Sequence, residues 1–218
     1  EWQVASKIDF LVPCGTTGES ATLSHDEHEQ VIEMTIQAAR GRVAVIAGTG
    51  SNNTQEALRF TRHAERAGAD ASLLIAPYYN RPTQEGLVQH FRAVAEAVDL
   101  PIVIYNIASR TGINIEPETF ARLAKIRNIA AVKESSGSLE QMSRIKALCG
   151  EKIALISGDD ALTLPVLSIG GTGVISVVAN IVPGEVARMV AAFHKGKLQE
   201  ARRIHYRLLN LVRAMFIE

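Results

Sequence analysis

The sequence is short of the features that would announce many functions. Its 218 residues hold two cysteines, Cys14 and Cys149, too far apart for a metal-ligand or redox spacing. They read as free thiols in a reducing compartment, the cytoplasm. Basic and acidic residues number 23 each, so no net charge marks a nucleic-acid partner and no basic helix marks a membrane surface. No apolar run approaches the ~20 residues of a membrane span, and no basic-then-apolar leader opens the chain. A Walker sequence, a Ser-His-Asp series and a nucleotide fingerprint are all missing. Gly48-Thr49-Gly50 runs into Ser51-Asn52-Asn53 without the third glycine of a dinucleotide turn. His25 and His28 do not make the His-Glu-x-x-His zinc pattern, so no metal site is expected.

What is present is a repeating unit. Apolar residues make up 47% of the chain, enough for a sizeable core. A short apolar strand, a loop rich in Gly, Thr, Asn or Asp, and an amphipathic helix recur. The strands read as Phe10–Val12, Val43–Ala47, Ser72–Ala76, Ile102–Tyr105, Ala130–Lys133, Ala154–Ser157 and Val174–Val177. Helices fill 24–40, 53–67, 83–98, 117–126, 138–149, 160–169 and 183–195. Ser24-x-x-Glu27 and Ser138-x-x-Gln141 fit the capping box, and Pro117 and Pro183 suit a first helical turn. Strands alternating with helices imply a parallel sheet covered by helices, α/β in class.

A doubly wound sheet and a (β/α)₈ barrel both satisfy that pattern. The barrel is preferred because its chemistry belongs at the C-terminal ends of the strands. There lie Gly15-Thr16-Thr17-Gly18-Glu19, Tyr78-Tyr79, Tyr105-Asn106, Lys133-Glu134 and Gly158-Asp159-Asp160. Residues 1–218 then form a single barrel domain that reads as incomplete at both ends, with the first strand and C-terminal helices missing. An open barrel exposes two sheet edges, so these residues alone are expected to fold poorly or bind substrate weakly.

Several of these residues have both a chemical and a plain structural reading. Lys133 ends a continuous apolar run, Ile129-Ala130-Ala131-Val132. Burial there would favour the neutral amine, a nucleophile able to form a Schiff base; otherwise it snorkels to water or pairs with Glu134. Thr16 and Thr17, between glycines, make an anion cradle or a tight turn. Tyr105 is a proton relay or an ordinary barrel aromatic. Arg110 holds a carboxylate or a surface ion pair. Tyr78 and Tyr79 sit on a loop suited to an interface. Asp159-Asp160 hints at magnesium, but a helix cap fits better.

Taken in order, Gly15-Thr16-Thr17-Gly18-Glu19, Tyr105-Asn106 with Arg110-Thr111-Gly112, and Val132-Lys133-Glu134 resemble the pyruvate-dependent class I aldolase superfamily of (β/α)₈ barrels. The chain looks like the branch that condenses pyruvate with L-aspartate 4-semialdehyde to give 4-hydroxy-tetrahydrodipicolinate, at the entry to the diaminopimelate route to lysine. The resemblance implies that Lys133 forms the Schiff base, with no metal or organic cofactor. It implies that Thr16 and Thr17 receive the pyruvate carboxylate and that Tyr105 moves protons through the Thr16 hydroxyl to a second tyrosine. That tyrosine matches Tyr79, lent across a tight dimer, the oligomer being a dimer of dimers. Arg110 would hold the semialdehyde carboxylate, and Ile175 would offer a backbone carbonyl to the keto acid. Feedback inhibition by lysine would use Ser20, Ala21, His25, His28, Asn52, Glu56 and Tyr78.

Two other readings stand beside this one. The sugar-acid lyases of the superfamily share the Gly-Thr turn and the lysine but lack the counterpart of Arg110. A non-catalytic, truncated barrel would only assemble with partners. The chain departs from the branch at Ala108, usually proline, which leaves the Arg110 turn less stiff.

Overall fold

A computed structural model describes residues 1–217. Seven short apolar runs form parallel strands: β1 (Phe10–Leu11), β2 (Ala44–Gly48), β3 (Ala71–Ile75), β4 (Ile102–Asn106), β5 (Ile129–Glu134), β6 (Ala154–Ser157) and β7 (Gly173–Val174). Each pairs with its neighbour in the chain, in the order β1-β2-β3-β4-β5-β6-β7. A doubly wound sheet would reverse direction partway across, and this one does not.

Alternation divides the strand residues between two cores. On β4, Ile102 and Ile104 join the layer under the helices, while Val103 and Tyr105 join a smaller inner cluster. That inner cluster also gathers Phe10 and Val12 from the start of the sheet and Ile175 from its end. The sheet is therefore curled, a barrel wall with β1 and β7 facing each other across one cavity. Among the described residues β1 and β7 do not pair. The Gln3 side-chain amide spans the gap, donating to the Ala179 carbonyl at 2.9 Å.

The helices are α1 (Trp2–Ala5), α2 (His25–Ala39), α3 (Thr54–Ala67), α4 (Gln84–Ala95), α5 (Ala108–Thr111), α6 (Pro117–Leu123), α7 (Leu139–Cys149), α8 (Thr163–Ser168), α9 (Pro183–His194) and α10 (Leu198–Ala214). Among the described residues, none is long and apolar enough to cross a membrane. Ser24 and Glu27 close a complete capping box on α2, and Pro117 and Pro183 open α6 and α9.

The structure departs from the sequence reading in four places. At Ser138 only half the capping box forms: the serine accepts from the Gln141 amide at 3.1 Å, but the Gln141 side chain turns elsewhere. The strand expected over Val174–Val177 stops at Val174, because the Asp160 carboxylate takes the Val177 and Val178 amides at 2.9 and 3.2 Å. The helix expected over 160–169 begins as a 3₁₀ turn, Asp160–Leu162, and becomes α8 only at Thr163. The short helix α5 is not anticipated by any periodic pattern, being one turn long.

Candidate active site

Lys133 lies on the inner face of β5, 8% exposed. Its Nζ sits 4.0 Å from the centroid of the Tyr105 ring. The register of β4 and β5 puts Tyr105 directly opposite it. No hydrogen bond or ion pair to Lys133 is found among the described residues. Burial pushes its pKa from 10.5 down to about 8, while the Asp160 carboxylate pulls weakly the other way. A fall of that size raises the neutral fraction at pH 7 roughly 300-fold. The snorkelling and Glu134-paired readings of Lys133 do not hold here, since Glu134 points to the opposite face.

Burial also pushes the Tyr105 phenol up, with the Ser135 and Thr16 hydroxyls and the Arg110 charge pulling it partly back. Ser135 Oγ is buried and lacks a hydrogen bond of ordinary geometry. Thr16 and Thr17 begin a 3₁₀ turn, Thr16–Gly18. Amides at the start of such a turn have no acceptor within it. The turn is held against β2 because Gly48 lets the Pro13–Cys14 backbone approach; a Cβ there would run into the Cys14 carbonyl.

A cavity of about 580 Å³ is lined by Lys133, Thr16, Thr17, Ile156 and Ile175. A second, of about 210 Å³, is lined by Thr16, Tyr105, Arg110, Ser20, Ala21 and Tyr78. Thr16 is common to both. Lys133, Tyr105, Thr16, Thr17, Ile175 and Arg110 are thus brought to one end of the barrel. Tyr79 is not: it is 88% exposed, with φ 70°, a backbone region that bulky residues rarely adopt.

The residues expected to bind lysine fall into two groups. His25 Nε2 and Glu56 are 2.5 Å apart, and Ser51 Oγ meets the other Glu56 oxygen at 2.5 Å. Buried His28 stacks on Phe60 at 4.1 Å and contacts the Gly48 carbonyl through Nε2 at 2.7 Å. Ser20, Ala21 and Tyr78 instead line the smaller cavity, and Asn52 bonds Asn80 at 3.3 Å. Both cysteines are buried and free. Among the described residues no three His, Cys, Asp or Glu side chains cluster as a metal site would.

Four features of the site were not legible in the sequence. Asp159 is the cap that the sequence suggested, accepting from Ala161 at 2.8 Å, but Asp160 unexpectedly is 6% exposed and bonded to Ser176, Val177 and Val178. Gly158 lies so close to the lysine that a Cβ would meet Ser135 Oγ and, at 3.1 Å, Lys133 Cε. Ser135 carried no pattern of its own. Behind the lysine, Glu134 is fully buried on the outer face and accepts from Asn106, Ser136 and Gln141. The adjacent Lys-Glu and Asp-Asp pairs were the only traces of this in the sequence.

With the lysine and the threonine turn in one cavity and the phenol in the adjoining one, comparison with known proteins is decisive. The model of the dihydrodipicolinate synthetase family matches residues 1–218. The chain belongs to that family. The 4-hydroxy-tetrahydrodipicolinate synthase of Syntrophus aciditrophicus (strain SB) is 59% identical over 218 residues, covering all of this chain and 75% of that protein. Among solved structures, the chloride-inhibited dihydrodipicolinate synthase from Acinetobacter baumannii, complexed with pyruvate, superimposes with a TM-score of 0.97. It is 41% identical and is matched over 100% of this chain and 75% of its own. The enzyme from Cyanidioschyzon merolae with lysine bound gives a TM-score of 0.96 at 45% identity, over 100% and 74% of the two chains. Membership of the dihydrodipicolinate synthetase family makes the chain an enzyme and its sheet the wall of a family barrel.

Proposed function

We propose that the enzyme condenses pyruvate with L-aspartate 4-semialdehyde through a Schiff base on Lys133, giving 4-hydroxy-tetrahydrodipicolinate. The observation that carries this is the buried amine, with its lowered pKa, held 4.0 Å from the Tyr105 ring centroid. The neutral Nζ attacks the ketone carbon of pyruvate and water leaves. Loss of a methyl proton gives an enamine, which attacks the aldehyde carbon. The product's own amine then displaces Lys133 as the ring closes. Each proton transfer needs a positioned donor and acceptor. Tyr105 is that group, linked through the Thr16 hydroxyl to Tyr79 of a second copy. Thr16 and Thr17 receive the pyruvate carboxylate, and the Ile175 carbonyl faces the keto acid. Arg110 receives the semialdehyde carboxylate as a bidentate pair.

The relative solved with pyruvate supports the first substrate. The exposure and strained φ of Tyr79 support its loan to a partner, and we assign a tight dimer within a dimer of dimers. Residues 1–218 act as one domain, in the cytoplasm, where free Cys14 and Cys149 stay reduced. A second reading concerns regulation: lysine would bind where His25 and Glu56 converge, with Ser20, Ala21, His28, Asn52 and Tyr78, as supported by the lysine-bound relative.

Borohydride reduction in the presence of pyruvate, followed by peptide mass mapping, tests the function. The expected result is a single adduct on Lys133. An unmodified Lys133 in active enzyme would overturn it. Aspartate semialdehyde assayed beside sugar acids separates the synthase from other pyruvate aldolases.

A further inference from the structure

The outer face of β4 and β5 carries a buried polar cluster that the reaction does not use. Asn106 and Asn114 flank the segment that bears Arg110. They bond each other, Asn106 Nδ2 donating to Asn114 Oδ1 at 2.8 Å, and the Ile115 amide donates to Asn106 Oδ1 at 3.0 Å. The two ends of the seven-residue segment between them are thereby drawn together. Gln141, on α7, completes the knot. Its Nε2 donates to Asn114 Oδ1 at 3.0 Å and to Glu134 at 3.3 Å, and its Oε1 accepts from Asn114 at 2.8 Å. Glu134 accepts from Asn106 Nδ2 at 3.0 Å and from the Ser136 amide at 2.6 Å.

Between these ends the chain makes the single helical turn of α5, on which Arg110 is exposed. Its neighbour Thr111 is buried and donates to the Ile107 or Ile113 carbonyl, at 3.0 and 2.9 Å, and Arg81 Nε donates to the Gly112 carbonyl at 3.0 Å. A long side chain on so short a loop takes its direction from the loop's base. From this we infer that Asn114 and Gln141, with Asn106 and Glu134, are positioning residues that aim Arg110 at the second substrate's carboxylate. They touch neither substrate. The inference rests on the reading above that Arg110 receives that carboxylate. Misplacement of a binding group by about 1 Å reduces turnover at low substrate by up to about 10²-fold, so a looser base should be visible in kinetics.

The test is a double-mutant cycle of Asn114→Ala with Arg110→Ala in the purified enzyme, with Gln141→Leu as the milder variant should Asn114→Ala fail to fold. In the native background the loop variant is expected to raise the KM for the aldehyde about tenfold, with kcat and the KM for pyruvate within about twofold. In the Arg110→Ala background it should add less than about twofold, because there is no guanidinium left to aim. Borohydride trapping of pyruvate should proceed at the native rate. A tenfold penalty in both backgrounds, or an unchanged aldehyde KM in the native background, overturns the inference. If Arg110→Ala itself leaves the aldehyde KM unchanged, the role assigned to Arg110 falls, and this inference with it. A raised KM in Arg110→Ala beside an unaffected loop variant sinks the inference alone.

Discussion

Two pairs of residues sit side by side on β4 and β5 and are treated oppositely. Tyr105 faces Lys133 on the inner side, and Asn106 faces Glu134 on the outer side, one residue further along each strand. All four are buried. The inner pair is left underbonded, with a lysine lacking an ion pair among the described residues and a serine hydroxyl unpartnered beside it. The outer pair is nearly saturated, with Glu134 accepting from three other residues. A buried polar group without partners carries a penalty of order 1–3 kcal/mol. The inner face bears that penalty beside the amine proposed to react; the outer face, proposed to hold the Arg110 segment, avoids it. A one-residue slip of either strand would exchange the two faces.

The comparison breaks most sharply if Lys133 proves dispensable. Lys133→Met should abolish pyruvate trapping and reduce condensation by at least about 10³-fold, since the covalent route is lost. The same variant also tests the burial. The unfolded amine titrates near 10.5 and the folded one near 8. Between those values the unfolded chain holds a proton that the folded chain has released, so native stability rises with pH across that window. The full gain is about 3 kcal/mol. Lys133→Met lacks it, so denaturant-unfolding curves of the two proteins should differ most near pH 7 and converge toward pH 10. Parallel curves would mean that the amine is solvated.

Gly158→Ala sharpens the inner side. The added methyl meets Ser135 Oγ and the Lys133 stem, so the amine must shift. Overpacking of this kind destabilises by about 1–3 kcal/mol, and the trapping rate should fall roughly 10- to 100-fold. An unchanged trapping rate would show that the amine has more freedom than its surroundings suggest.

Glu134→Gln applies the converse to the outer side. The carboxylate is an acceptor at both oxygens, and an amide would aim a donor at Asn106 or Gln141. Flipping those amides passes the mismatch along to Asn114 without removing it. Stability should fall by about 1–2 kcal/mol, while the pyruvate trapping rate stays within about threefold. A collapse of trapping would erase the distinction between the two faces.

Much of this contrast could be read from the chain, and the unread part has a physical cause. Lys133, Tyr105 and the threonine turn stood out because reactive types followed apolar runs at strand ends. The seven strands were legible because parallel strands buried on both faces give continuous apolar runs. The outer network was hidden because its members look like ordinary local signals. Gln141 fits a capping box, but its side chain is better placed against Asn114 than against the cap, and only the packing of α7 on the sheet decides that. Of the Asp159-Asp160 pair read as a cap, Asp159 is one, while Asp160 takes the Val177 and Val178 amides beyond β7, a long-range choice invisible to local pattern. The role proposed for Tyr79 needs a second copy, so a single chain shows only its exposure.

The smallest effect is expected at Ala108, where the knot on the outer face meets the loop it anchors. Ala108 is the first residue of α5, a position whose amide has no acceptor within the helix and whose φ suits proline. Ala108→Pro therefore removes no helical bond and reduces the freedom of the unfolded chain. Against this, Ile107 has φ −145° and ψ 78°, short of the ψ of about 120–160° that a following proline favours. The gain should sit near the lower end of the usual range, about 0.4 kcal/mol, with the aldehyde KM lowered by no more than about twofold. A stabilised enzyme with a lower KM would place the remaining slack of Arg110 in the loop. A destabilised one would mean that Ile107 is held at a ψ that a following proline does not fit, with no slack there for proline to remove.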